Sequence, residues 1–149
     1  MRFVLILTLT TLVGIPAAFA ANTDKIPDMQ ELTALAARAE QATPKDRCFL
    51  YAELVSAMTQ LAGQQLNAGD TANASASLKA IQLYTAKIHV DLNGNSRKLK
   101  DAQIMMRRTA YRLKELMMGA SLNDQPAFES TLKQLDQVQS QMMLAVFQK

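Results

Sequence analysis

The stretch Ser96–Ala120, SRKLKDAQIMMRRTAYRLKELMMGA, contains no Pro and holds its only Gly next to the far end. At about 100° per residue it reads as about seven turns of α-helix. Leu99, Ala102, Met106, Thr109, Ala110, Leu113, Leu116, Met117 and Ala120 fall on one side of that helix. A thinner row on the opposite side, Ile104, Tyr111 and Met118, repeats at i, i+7, i+14 among Arg107, Arg108, Arg112 and Lys114. A helix apolar on two sides is a middle element of a fold or one that meets a partner.

The rest of the chain repeats the helical period. Thr71–Leu92 carries a main face of Ala74, Leu78, Ile81, Tyr84, Ile88 and Leu92, and a second row, Ala76, Leu83 and Val90, of the same kind. Before it, Thr43-Pro44-Lys45-Asp46 offers a Thr cap, Pro at the first helical position and an acid at the third. The helix that follows has a wide stripe of Leu50, Tyr51, Leu54, Val55, Met58, Leu61, Ala62 and Leu66. Gly69 suits a left-handed helix end and Asp70 caps the next helix at once, so these two helices form an antiparallel hairpin. A first helix follows Pro27, with Asp28 and Glu31 at its positive end and Met29, Leu32, Ala36 and Ala39 facing inward. The last helix repeats Phe128, Leu132, Leu135, Val138, Met142 and Ala145 in alternating steps of three and four, a narrow bundle seam. Ser96 is the expected cap of the fourth helix. The expected fold is therefore all-α: an antiparallel bundle or short superhelical array of about five helices, over 27–42, 44–68, 71–92, 96–120 and 125–148. No Gly/Ser linker divides it, so residues 21–149 read as a single helical domain.

Met1–Ala20 has the pattern of a secretory signal peptide. Arg2 is the positive n-region, Phe3–Ile15 the apolar run, Pro16 the break, and Ala18-Phe19-Ala20 the small-x-small site, with cleavage after Ala20. An uncleaved anchor is the alternative, but the run falls short of the roughly 20 apolar residues a spanning helix needs. The expectation is an exported protein, periplasmic or secreted, with no stable membrane insertion after cleavage. Without Arg2 the chain keeps 15 basic against 13 acidic residues, and only 5% of its residues are aromatic. Neither figure argues for a nucleic-acid partner.

Residues with chemical potential are few. Cys48 has no partner for an intramolecular disulfide and lies on an apolar stripe with Ala52 and Val55, as a small buried hydrophobe does. His89 has no His, Cys or carboxylate three or four residues away, and reads as a satisfied or partly exposed side chain. Asp91–Ser96 has oxygen-bearing residues at alternate places, but Ser96 and Ala102 stand where a calcium loop needs Gly and Glu. The Met pairs 105/106, 117/118 and 142/143 bring soft sulfur, yet adjacent helical residues point about 100° apart and do not converge on one ion. No cofactor, metal or catalytic residue is expected, and no enzyme.

Three resemblances bear on class. Gly69-Asp70, with Leu61, Ala62, Ala74 and Leu78 around it, looks like one tetratricopeptide hairpin; Thr71 stands where that repeat has an aromatic residue, and the closing Pro is missing. Asp46–Leu54 and Thr131–Asp136 are similar to segments of small exported all-helical bacterial proteins of unassigned function. That likeness implies fold and compartment, and brings no site residues. The overall plan also resembles the cytochrome b562 layout, with Met29 early in the first helix. That family's His in the last helix has no counterpart here.

The expected function is a non-enzymatic protein–protein interaction or structural module of the cell envelope, binding an unknown protein or a second copy of itself. A metal or haem carrier using the Met-rich core is the alternative. The one candidate partner face is Ile104, Arg107, Arg108, Tyr111, Arg112 and Met118. Because the helices over 71–92 and 96–120 both carry second rows, packing of those rows within the chain is the leading explanation for Ile104, Tyr111 and Met118, with the partner face as the minority view.

Overall fold

The computed structural model describes residues 26–92 and 95–148. The expected signal peptide, its cleavage site after Ala20 and the lead-in before residue 26 lie outside these residues. The fold is all-α, with five helices: α1 Met29–Gln41, α2 Pro44–Asn67, α3 Thr71–Asp91, α4 Leu99–Gly119 and α5 Gln125–Phe147. There is no strand among the described residues.

Local chemistry accounts for most of the helix ends. Asp28 accepts from the Glu31 N–H (2.8 Å) while Glu31 accepts from the Asp28 N–H, a capping box that starts α1 two residues after Pro27. Gly69 takes φ +75° and ends the α2 turn, and Asp70 accepts from the Asn73 N–H at the start of α3. Thr43 occupies the N-cap of α2, but its hydroxyl donates to Asp46 Oδ2 (2.7 Å) instead of capping the backbone.

Helix α4 corrects the sequence reading at its start. It begins at Leu99, with Lys98 at the N-cap in the left-handed region at φ 51°, and Ser96 is not its cap. The cause is tertiary: the Arg97 N–H donates to Lys45 O in the first turn of α2 (2.7 Å), and Arg97 reaches Asp46 at 3.3 Å. Ser96 is buried beneath this tie, and its Oγ has no hydrogen-bond partner among the described residues. A buried hydroxyl without a partner costs stability. Ser96→Ala is expected to stabilise the fold by about 1 kcal/mol, read as a rise in Tm.

Two hairpins, α2/α3 and α4/α5, stack so that like helices lie side by side. Helices α2 and α4 run parallel, joined at one end by Arg97–Lys45 and at the other by Leu116 against Gly63, where an added Cβ would sit 3.1 Å from Leu116. Helices α3 and α5 are also parallel: Gln82 Nε2 donates to Thr131 Oγ1 (2.8 Å), Gln134 Nε2 to Gln82 O (3.0 Å), and His89 meets Gln141 further along. The four helices close a square, with α2 opposite α5 and α3 opposite α4. Helix α1 packs on the outer side of α2, through Leu32 and Ala39 with Leu35 and Ala36 at the margin, and reaches α3 through Glu40 and Lys87.

The core fills the square with the predicted stripes: Leu54, Val55, Ile81, Ile88, Met106, Leu113, Phe128, Leu135 and Met142 are all shielded from solvent. Complete burial of side chains this size stabilises by about 1.5–3 kcal/mol each. Thr59, Thr85, Thr109 and Thr131 are buried, and each donates to the carbonyl four residues earlier, while buried Ser77 donates to Gln65 Oε1 (2.7 Å). The middle element is α2, not α4. It touches α1, α3 and α4, and even Glu53, Ser56 and Gln60 on its polar side are half-buried.

Candidate interaction face

Apart from Ile104, which is half-buried beside α2, the second rows on α3 and α4 are not packed inside the molecule, which overturns the leading expectation for Tyr111 and Met118. Tyr111 is 66% and Met118 69% exposed, and on α3 Leu83 is 55% and Val90 80% exposed. The reason lies in the topology. The neighbours of α4 are α2 and α5, one on each flank, with the core behind, so among the described residues no helix is left to cover the side opposite the core. The same holds for α3 between α2 and α5, and the one spare helix, α1, is committed to α2. Helices α3 and α4 do not pack their rows on each other either, since they stand opposite one another across the square.

The six residues of the predicted face divide into two groups. Ile104, Arg108 and Arg112 turn toward α2 and line a groove of about 690 Å³, with Phe49, Ser56 and Gln60 supplying the opposite wall. Lys98 closes one end, its Nζ 4.6 Å from the Phe49 ring centre, a cation–π contact. Met105, Asp101 and Thr109 complete the lining. Arg107, Tyr111 and Met118 stand on the solvent side of α4. The α2 wall escaped the sequence reading. Its signal was there: Cys48–Asn67 contains one charged residue, Glu53, as a helix surrounded by neighbours requires.

A second groove, of about 1020 Å³, runs over α5 beside α3 and is lined by Gln134, Gln137, Gln141, Ser140 and His89. His89 is exposed, and its Nδ1 donates to Gln141 Oε1 (2.5 Å), so the ring is satisfied by a neighbouring amide. Met29 is exposed at the start of α1. The end of α1 near α3 is the other one, where Glu40 pairs with Lys87, so the structure does not bring Met29 and His89 together. Of the Met pairs, Met106 and Met142 are core residues while Met118 and Met143 are exposed. No group of three His, Cys, Asp or Glu side chains with metal-binding geometry occurs among the described residues.

Cys48 is fully buried. Burial, with Asp91 adding to it, pushes its thiol up to about 12 from an ordinary 9.0. The thiolate is the nucleophile, so this thiol is inert in the folded chain. Alkylation at pH 8 is expected to label Cys48 only in denaturant; labelling of the native protein contradicts this placement. The proton is held more tightly in the folded than in the unfolded state. The corresponding stability is complete below pH 9 and is lost as the pH rises toward about 12.

Near Cys48 a polar cluster fastens α1 to the bundle. Glu40 pairs with Lys87, whose Nζ lies 5.6 Å from the Tyr51 ring centre and 5.7 Å from that of Tyr84. The hydrogen bond from Lys87 holds the Glu40 carboxyl below its usual range, and the same bond raises Lys87. Burial raises the Tyr51 phenol. These shifts belong to a structural tie between helices.

No protein-family model, curated protein or solved structure matches the chain. No helix among the described residues is long and apolar enough to cross a membrane.

Proposed function

We propose that the chain is an exported, non-enzymatic helical module of the cell envelope that works by protein–protein contact, with the outer face of α4 as the contact surface. The observation that carries this reading is the exposure of Tyr111 and Met118 on a helix whose two neighbours leave that side uncovered. Tyr and Arg are the side chains most enriched where interfaces gain their energy, and here Tyr111 stands among Arg107, Arg108 and Arg112. The likeness of the α2/α3 hairpin to a tetratricopeptide unit supports the same class, since such hairpins present helix faces to partners. Export rests on the Met1–Ala20 pattern, and periplasmic or secreted location follows from it. Self-association is a second form of the same reading, favoured by the outward Leu83 and Val90 on α3.

The test is affinity capture after crosslinking in native cells, comparing the unaltered chain with Tyr111→Glu. The expected result is a discrete partner band that the variant loses while its circular dichroism stays unchanged. Identical recovery with both proteins contradicts the assignment of the face. Mass spectrometry of the same material is expected to find Ala21 as the first residue; an intact Met1–Ala20 segment contradicts cleavage.

A further inference from the structure

The apolar row of α4 runs beside a row made only of cations. Lys100, Arg107 and Lys114 repeat at the same seven-residue spacing as Ile104, Tyr111 and Met118, one helical step to the side. Seven residues are nearly two turns, so each row drifts by only about 20° per repeat and the two stay parallel over their whole length. On the other side of the apolar row stand Arg108 and Arg112, on the rim of the α2 groove. Asp101 and Glu115 are the acids within α4. Seven of the chain's 16 Lys and Arg residues fall within Arg97–Lys114. Among the described residues, no ion pair within 4.0 Å involves Lys100, Arg107, Arg108 or Lys114. The fold therefore concentrates positive charge along α4, and four of these cations, Lys100, Arg107, Arg108 and Lys114, are not used in ion pairs among the described residues.

We infer that the partner of this face is an acidic amphipathic α-helix. Its apolar side chains, spaced by heptads, lie along Ile104, Tyr111 and Met118, and its carboxylates run alongside Lys100, Arg107 and Lys114. The inference rests on the reading of α4 as the contact face and adds the chemistry of the partner. Straight rows in register over about 21 Å, from residue 104 to 118, are what a second helix matches. A fluid lipid surface has no use for register, and the apolar line is one side chain wide, too narrow for the broad apolar face that interfacial helices bury. Opposite charge alongside the seam sets orientation and partner choice, the task of flanking charges in helical pairs.

The test uses the full chain and a fluorescein-labelled three-heptad peptide with Leu at every seventh position and Glu along the neighbouring row. The controls are a Gln-for-Glu peptide, a Lys-for-Glu peptide and phosphatidylglycerol vesicles. The Glu peptide is expected to bind at least about tenfold more tightly than the Gln peptide at low salt, and the gap closes as salt rises. Arg107→Glu with Lys114→Glu is expected to weaken the Glu peptide about tenfold or more at unchanged Tm, and to bind the Lys peptide better than the unaltered chain does. Equal affinity for the Glu and Gln peptides overturns the acidic partner while leaving the face itself standing. Glu-peptide binding that Tyr111→Ala leaves unchanged instead overturns the face. Tyr111-dependent binding to the vesicles with none to the Glu peptide overturns the helical partner in favour of a lipid surface.

Discussion

Leu113→Ala is expected to destabilise the protein by about 2–5 kcal/mol, while Tyr111→Ala two residues earlier stays within about 0.5 kcal/mol of the unaltered chain. Leu113 is fully buried and points into the centre of the square, so truncation removes its transfer free energy and leaves a cavity that the packed helices fill only in part. Tyr111 is mostly in water already, and its ring meets no other aromatic side chain among the described residues. Chemical denaturation of the two variants at constant m-value measures the difference. The contrast separates two readings of α4. Were its outer row packed inside the molecule, Tyr111→Ala would cost several kcal/mol as well.

The same logic gives a larger effect on α5, from one residue type at its two ends. Phe128 in the first turn is completely buried, and Phe147 at the last residue is 81% exposed. Phe128→Ala is expected to cost about 3–5 kcal/mol and Phe147→Ala within about 0.5 kcal/mol. A domain of this size has about 5–15 kcal/mol in total, so Phe128→Ala consumes a large part of it and is expected to unfold at markedly lower denaturant. Equal losses for the two substitutions contradict the described end of α5, where Phe147 lies outside the core.

These pairs also show which features of the fold the sequence makes legible. Periodicity assigns Leu113 and Phe128 to the interior because each sits on a stripe of apolar neighbours three and four residues apart, a local property. The hairpin turn is local too: Gly69 needs only its own left-handed backbone, and Asp70 only the N–H of Asn73. The start of α4 is different. Ser96 has the composition of a cap, but the bond from Arg97 to Lys45 joins residues far apart in sequence and places the chain so that Lys98 turns left-handed and Leu99 begins the helix. No local pattern encodes that bond. The candidate face was legible in its residues and not in its surroundings. The spacing of Ile104, Tyr111 and Met118 marks a two-sided helix, yet whether another helix covers the row depends on the order of packing around the square. The two-sided pattern allows α4 to be a middle element or to meet a partner, whereas the near-absence of charge between Cys48 and Asn67 points to α2 as the middle element.

Photo-crosslinking from position 111 in native cells reports whether the uncovered side of α4 meets a partner. A photoreactive residue replacing Tyr111 is expected to yield one discrete adduct, lost when Arg107→Glu and Lys114→Glu are added, while the same residue at Lys133, exposed on α5, yields none. An adduct from position 133 as strong as that from 111, or none from 111, contradicts the account.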